Sequence, residues 1–263
     1  MKKFEKLYRL TYTRRNFFKE LFLSMIYAFS SLPVLVMETI LRRNMGERRF
    51  SLSNGILSLI IMVFIPILVN DDIHISFRGK MHISSRHFDA GEFFLDYTTW
   101  YIFLAAYLYL MIRRYEEICR LPSVFDMKRF SPSSGDIHPF FYSFQISGRR
   151  FNERIIEIVL EPLVFIIPGI FLYLIGQNLG YLLISLGLIY SFTMQLAYHA
   201  GEQEIINYID IQIYSEEFSK LLEGNPSSET RGVRLYSRPI SNPETKHKII
   251  ETFNEEESGI AID

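Results

Sequence analysis

Two carboxylates in an apolar segment are the residues most able to do chemistry in this chain. Glu157 and Glu161 lie four residues apart at the start of a long hydrophobic run, so on a helix they share one face. A carboxylate at membrane depth is costly and usually faces the interior of a helix bundle or water. A proton or cation pathway through Glu161 is therefore one hypothesis. The structural alternative is that Glu157 pairs with Arg150 or Arg154 near the membrane surface.

Histidines supply a second candidate site. His74, His82 and His87 fall in one short segment together with Asp89 and Glu92. Imidazole and carboxylate groups are ligands for zinc or manganese, so these histidines are weak candidates for a metal site. Their spacing matches no established ligand pattern, and a polar hairpin face in contact with water explains them more simply. We therefore expect neither a resident metal nor a cofactor.

A third candidate is the pair Asp136 and His138, in a segment rich in turn-forming and aromatic residues (130–144). An Asp–His pair can transfer protons, but neither the neighbouring serines nor Cys119 carries a recognisable nucleophile signature. Those serines do not form a phosphate-binding loop either, because no Gly-Lys-Ser/Thr sequence follows them. We expect an ordered loop here and no enzymatic activity.

The composition indicates a membrane protein. Hydrophobic residues make up 49% of the 263 residues, and the mean hydropathy is +0.12. A soluble domain of this length normally carries less apolar surface. The formal net charge is −1, so no global field attracts nucleic acid, and the single cysteine excludes a disulfide framework. We therefore expect an all-α integral membrane protein that binds no nucleic acid.

Four charge-poor segments predict firm transmembrane helices. They cover residues 52–70, 97–112, 156–176 and 179–199. The second is short, but Arg113 and Arg114 can extend from its end toward the membrane surface. The last two are separated only by Gln177 and Asn178, which indicates a tight turn.

The charges of the connecting segments predict which side of the membrane each occupies, because basic loops favour the cytoplasm. Residues 41–50 and 113–155 are rich in Lys and Arg, whereas 71–96 carries five carboxylates and three basic residues. The basic loops are therefore placed on the cytoplasmic side of the plasma (inner) membrane of a bacterium. The segment 71–96 is then external and the C-terminus is cytoplasmic. Residues 73–77 and 80–84 alternate apolar and polar side chains, which predicts a small external hairpin.

The apolar segment 21–40 allows two interpretations. Ser30, Ser31 and Pro33 weaken a continuous helix, and the basic segment 1–20 favours a cytoplasmic N-terminus. These features predict an interfacial or re-entrant segment in a four-span protein. The alternative is a fifth span with an external N-terminus. A signal peptide is not expected, because no small-x-small cleavage site follows the apolar run.

After the last span, residues 202–223 are predicted to form a cytoplasmic amphipathic helix whose apolar stripe needs a cover. That cover comes either from the rest of this chain or from another subunit. The residues expected to bind a partner are Ile206, Ile209, Ile213, Phe218 and Leu221. Residues 224–263 are polar and are predicted to be mostly disordered.

No motif names an activity, and three classes of function remain open. The favoured one is a non-enzymatic subunit of a multiprotein membrane assembly, such as a secretion, conjugation or envelope machine, acting as scaffold or anchor through its cytoplasmic helices. The second is an ion channel or transporter with Glu161 in its pathway, or a pore-forming membrane effector. The third is a membrane enzyme that acts on lipid. The expected partners are the lipid bilayer and other assembly subunits or further copies of the chain.

Overall fold

The computed structural model describes residues 8, 11–12, 16–69, 73–75, 81–83, 91, 95–146, 149–224, 229–234, 236 and 240–258. Helices dominate, as the sequence predicts. They are α1 (Phe17–Leu41), α2 (Leu52–Val69), α3 (Thr98–Arg120), α4 (Glu153–Leu174), α5 (Leu179–Glu223) and α6 (Pro243–Ser258). Single helical turns also occur at Val124–Asp126 and Pro139–Tyr142.

Short strands form two antiparallel hairpins. Strand β1 (Ile73–Ile75) pairs with β2 (Met81–Ile83), and β3 (Gln145–Ile146) pairs with β4 (Arg149–Arg150). In the first hairpin the backbone register places His74 opposite His82.

Three helices, α1, α4 and α5, are long and apolar enough to cross a membrane. The helix α2 is also apolar, and its apolar part, Leu52–Leu68, is somewhat shorter. These helices support the expectation of a membrane protein. The count of four crossings stays a prediction.

Helix α1 passes through Ser30, Ser31 and Pro33 without a break. The two hydroxyl groups donate to carbonyl oxygens of their own helix, at Tyr27 (3.4 Å) and Ala28 (2.8 Å). These bonds occupy serine donors that would otherwise favour a turn. Residues 21–40, predicted as interfacial or re-entrant with a fifth span as the alternative, thus lie within one continuous helix.

Within the C-terminal tail, which is predicted to be mostly disordered, the structure has one helix, α6 (Pro243–Ser258). The side chain of Asn242 accepts a hydrogen bond from the Glu244 amide (3.0 Å) and so caps this helix. Ile240 and Ile249 pack against a small apolar core. Tertiary contact with that core stabilises the helix, and the polar composition of the tail does not indicate such a contact.

The chain divides into two compact units, and each has its own core. One unit is Phe22–Ala197, in which α2 and α3 are joined by two buried polar contacts. The indole Nε1 of Trp100 donates to the Met62 carbonyl (2.9 Å), and the hydroxyl groups of Ser58 and Tyr107 lie 2.8 Å apart. The other unit contains Met1–Leu21 and Tyr198–Asp263. Its core residues are Tyr214, Phe218, Leu222 and Val233.

Glycines let α4 and α5 approach closely. A Cβ atom on Gly180 would lie 2.5 Å from the Tyr173 amide nitrogen and 2.6 Å from the Gly169 carbonyl oxygen. Both are backbone atoms, so neither can move aside as a flexible side chain would. Small residues at such positions are what permits tight helix packing inside a membrane.

We predict that Gly180→Ala lowers the stability of the protein because the added methyl group forces the α4 and α5 backbones apart. The expected loss is about 1–3 kcal/mol, typical of overpacking. It would be measured as a lower unfolding temperature of the purified protein in mild detergent.

The matched control is Gly201→Ala in the same helix, where nothing lies within 4 Å of the position that the methyl group would take. Alanine is the better helix former by about 1 kcal/mol, so this variant should be neutral or more stable. Equal destabilisation by the two substitutions would contradict the close packing at Gly180.

Candidate functional site

The loop that follows α1 binds the loop that follows α3. The Gly46 amide donates to the Ser133 carbonyl (2.9 Å), and the Asp136 amide donates to the Arg43 carbonyl (2.8 Å). A Cβ atom on Gly46 would lie only 2.0 Å from the Ser131 carbonyl oxygen, so glycine is required for this contact. Residues 42–50 and 131–136 are therefore fixed to one another.

Hydrogen bonds within these loops account for the positions of the Asp136 and His138 side chains. The Asp136 carboxylate accepts a hydrogen bond from the Asn44 side chain (2.6 Å), and His138 Nδ1 accepts one from the Phe140 amide (3.3 Å). His138 thereby caps the helical turn Pro139–Tyr142. Both side chains hold the loop conformation, in keeping with the expectation of an ordered loop.

Arg42, the first residue after α1, has a side chain that is only 1% exposed. Its Nε and Nη2 atoms donate to the two carboxylate oxygens of Glu161, at 3.2 and 2.8 Å. Nη2 also donates to Glu157 (2.8 Å), and Nη1 donates to the Ser134 hydroxyl (2.6 Å). The guanidinium group thus contacts two carboxylates and one loop residue at once.

Glu161 has no exposed surface and receives a further hydrogen bond from the hydroxyl of Tyr190 on α5 (2.5 Å). We refer to Arg42, Ser134, Glu157, Glu161 and Tyr190 as the Arg42 cluster. Within it, both carboxylate oxygens of Glu161 are bonded, one to Arg42 and the other to Arg42 and Tyr190. Such saturation is what makes a buried charge tolerable.

A π-helical turn, Ile156–Leu160, positions the two carboxylates. The Glu161 amide donates to the Ile156 carbonyl, five residues earlier, instead of to a carbonyl four residues earlier. Single π turns inside α-helices are frequent at functional sites. Here the turn contains Glu157 and ends at Glu161, and both side chains reach Arg42.

The charge of Arg42 is fixed by its surroundings. Burial alone would lower its pKa, but the oxygen atoms of Tyr190, Glu161 and Glu157 outweigh burial and raise the pKa above its usual value. The guanidinium group is therefore positive at every pH at which the protein is folded.

A second ion pair ties the end of α1 to the following loop. Arg49 donates through Nε (2.8 Å) and Nη2 to the two carboxylate oxygens of Glu38. Glu38 is buried, whereas 38% of the Arg49 side chain is exposed at the edge of the site. The hydrogen bond from Arg49 to Glu38 raises the pKa of Arg49. The pair thus links the buried end of α1 to a residue at the solvent-exposed edge of the site.

Arg114 of α3 completes the attachment of α1. Its Nε donates to the carbonyl oxygen of Thr39 (3.1 Å), and its Nη1 contacts both oxygens of Glu117 (2.9 and 2.8 Å). Thr39 lies in the last turn of α1, where backbone carbonyls lack partners within the helix. Arg114 satisfies one of them.

The structure places Glu157 and Glu161 together, as their spacing predicts, but their common partner Arg42 was not predicted. Arg42 directly follows an apolar segment, where it counts only as one charge of the basic loop 41–50. The available signal was the position of Arg42 itself, a basic residue at the end of an apolar segment and four residues after Glu38.

Two of the three histidines proposed as metal ligands, His74 and His82, are among the described residues. His74 and His82 are paired in backbone register, whereas His87 lies outside the described residues. Among the residues that are described, no three His, Cys, Asp or Glu side chains are grouped so that they could hold a metal ion. A metal site that includes His87 therefore stays an untested hypothesis.

The predicted partner-binding residues of α5 fall into two groups. Phe218 and Leu221 pack in the core of their own unit, against residues that include Tyr8 and Val233. Ile206 and Ile209 are each 47% exposed. Ile213 is half-buried between the two groups. The chain thus covers the C-terminal part of the stripe itself and leaves the N-terminal part open.

No protein-family model, curated protein or solved structure matches this chain.

We predict that Arg42→Met lowers stability by about 3–5 kcal/mol, because it leaves the Glu161 carboxylate buried without its ion partner. Glu161→Met should have an effect of similar size. The measurement is denaturant or thermal unfolding of each variant in the same detergent.

The double variant Arg42→Met, Glu161→Met provides the control, since it removes both charges. It should be more stable than either single variant, because partners in one buried pair are strongly non-additive. Losses that simply add would show that Arg42 and Glu161 act independently.

We further predict that Tyr190→Phe costs about 1.5–3 kcal/mol, because the hydroxyl bonds a charged group in a buried site. Tyr208→Phe, on the same helix but 58% exposed, should leave the unfolding temperature within error. A Tyr190→Phe variant as stable as the Tyr208→Phe control would contradict a role for the hydroxyl in holding Glu161.

Proposed function

We propose that this chain is a non-enzymatic integral membrane subunit that acts as a scaffold or anchor in a multiprotein assembly, through helix α5. In this proposal the membrane is the plasma membrane of a bacterium, and the C-terminal part of the chain, from the end of α5 onward, lies in the cytoplasm. The observation that carries it is an apolar surface on the part of α5 that extends beyond a bilayer.

The length of α5 supports this proposal. Its 45 residues correspond to about 68 Å at 1.5 Å per residue, whereas the hydrocarbon core of a bilayer is about 30 Å thick. Roughly half of the helix therefore lies outside the hydrocarbon core. That half begins close to Glu202 and Glu204, and it contains Ile206 and Ile209.

The large exposed apolar side chains on this half of α5 fall within residues 205–209. They are Ile205, Ile206, Tyr208 and Ile209. An exposed apolar patch of this kind, bordered by acidic residues, is typical of a protein interaction site. Scattered single residues would need no explanation, but these four fall within five positions of one another.

The Arg42 cluster favours a structural role over a transport role. A conducting carboxylate needs contact with water or with a transported ion, whereas Glu161 is fully buried and bonded to Arg42 and Tyr190. The channel or transporter alternative thus loses support at the residue on which it depends.

The contact between the two basic loops supports the proposed orientation. Residues 42–50 and 131–136 are hydrogen-bonded to each other, so they lie on one side of the bilayer. Both belong to segments rich in Lys and Arg, which favour the cytoplasm.

We expect the chain extracted from its host in mild detergent to have the mass of a defined complex. The variant Ile206→Glu, Ile209→Glu should release it as a monomer, because two charges prevent burial of the surface. Native mass measurement of the affinity-purified protein is the test.

The matched control is Gln203→Glu, Gln212→Glu, which adds the same charge to exposed positions of the same helix. It should retain the complex. A wild-type protein that is already a monomer, or a complex that both variants leave intact, would refute the proposed interaction surface.

A further inference from the structure

Helix α5 carries a short apolar stripe just before it reaches the core of its own unit. Ile206, Ile209 and Ile213 are spaced three and four residues apart, so they fall within about 60° of one another around the helix axis. Ile206 and Ile209 are each 47% exposed, and Ile213 is half-buried. We call these three residues the α5 stripe.

The other apolar residues of this region lie to the sides of the α5 stripe. Ile205 widens the exposed surface on one side, whereas Tyr208 lies about 130° away from the middle of the stripe. Ile211 packs against the core of the unit. The exposed surface is therefore narrow, and a seam with this spacing is typical of a helix that packs along another helix.

The charges around the α5 stripe are all negative. Between positions 200 and 219 the chain has no Lys or Arg, but it has five carboxylates: Glu202, Glu204, Asp210, Glu216 and Glu217. Glu202 lies one turn before Ile206, in line with the stripe. Asp210 borders the stripe on one side, and Glu216 follows it toward the other side.

The basic side chains of the same unit meet these carboxylates at the C-terminal end of the stripe. Arg231 lies 3.7 Å from Glu216 and 3.4 Å from Glu217, and Lys220 lies 2.9 Å from Glu217. Positions 216 and 217 are about two turns beyond Ile209. These contacts therefore belong to the part of α5 that the unit already covers.

The N-terminal segment of the chain also contacts α5 beyond the exposed part of the stripe. The rings of Tyr8 and Tyr12 lie 5.7 and 5.4 Å from the ring of Tyr214, centroid to centroid. Tyr214 comes five residues after Ile209. These contacts leave Ile206 and Ile209 exposed.

The charge of this surface disfavours two possible occupants. An anionic lipid leaflet attracts basic segments and repels carboxylates. A second copy of the chain would place residues 200–219 against themselves, and in either orientation acidic side chains would then face acidic side chains. Like charges placed across an interface suppress binding.

We infer that the α5 stripe binds a basic amphipathic helix of a partner protein. The apolar residues of that helix cover Ile206 and Ile209, and its Lys or Arg side chains lie against Glu202 and Asp210. Apolar anchors give such helix pairs their affinity, and the charges beside the seam select the partner. The inference rests on the proposed function, because it names the kind of partner that this part of α5 binds.

The first experiment reverses one charge beside the stripe. Glu202→Lys places a positive charge in line with Ile206, and Glu204→Lys makes the same change on the opposite face as the matched control. Both positions are exposed. The full chain is purified with its partner in mild detergent, and native mass measurement follows the fraction in complex on dilution.

Glu202→Lys should weaken the complex by about tenfold, because an attraction to the partner becomes a repulsion. Glu204→Lys should leave the affinity unchanged. Added salt should reduce the difference between the two variants, since it screens exposed charges.

The possible failures of this experiment are distinct. A wild-type chain that is purified as a monomer refutes the proposed function and the inference together. A complex that the two variants affect equally leaves the proposed function standing and refutes a basic partner. A complex that Glu202→Lys tightens shows an acidic partner, which also overturns the inference.

The second experiment identifies the segment that covers the stripe. Photoreactive benzoylphenylalanine replaces Gln203 or Ile205, which lie at the two edges of the stripe, and the crosslinked peptide is sequenced by mass spectrometry. The expected peptide comes from another protein and has apolar residues three and four apart beside Lys or Arg. A peptide from residues 1–20 of this chain, one from residues 200–219 of a second copy, or a lipid adduct would overturn the inference.

Discussion

The ion pair between Arg42 and Glu161 is the constraint on which the rest of the larger unit depends. It joins the end of α1 to α4, and through Tyr190 it also engages α5. Because a buried charge without its partner is costly, these three elements can separate only together. Ser134 adds the loop after α3 to the same group, so one guanidinium group holds four parts of the chain in place.

Around this pair, the larger unit is held together by polar contacts between helices and by close helix packing. Side chains such as Trp100 and Ser58 form hydrogen bonds between helices in this unit. Glycines allow helix backbones to approach closely. Close approach matters in a membrane, because lipid gives little hydrophobic drive for helices to associate. Gly180 lies where any side chain would meet the backbone of α4.

The sequence was most informative where one physical effect dominated. Charge-free runs predicted apolar helices, and the spacing of Glu157 and Glu161 predicted a shared face. It was least informative where distant contacts decided the outcome. Arg42 and Glu161 are 119 residues apart, so no local pattern links them. Pro33 argued against a continuous helix, yet burial of the residues after it supports one, as tertiary context commonly overrides propensity.

The π turn in α4 has a consequence for insertions and deletions. Such a turn accommodates one residue more than an α-helix would in the same length. Removing a single residue between Glu157 and Glu161 would restore a regular helix, and the rest of α4 would keep its faces, because the π turn itself absorbs the extra residue. Glu157 would then be three residues before Glu161, about 60° away from it around the helix axis, so the two carboxylates would no longer face Arg42 in the same way. Sequences that keep this site are therefore expected to keep the four-residue spacing of the two carboxylates, even where the residue types between them change.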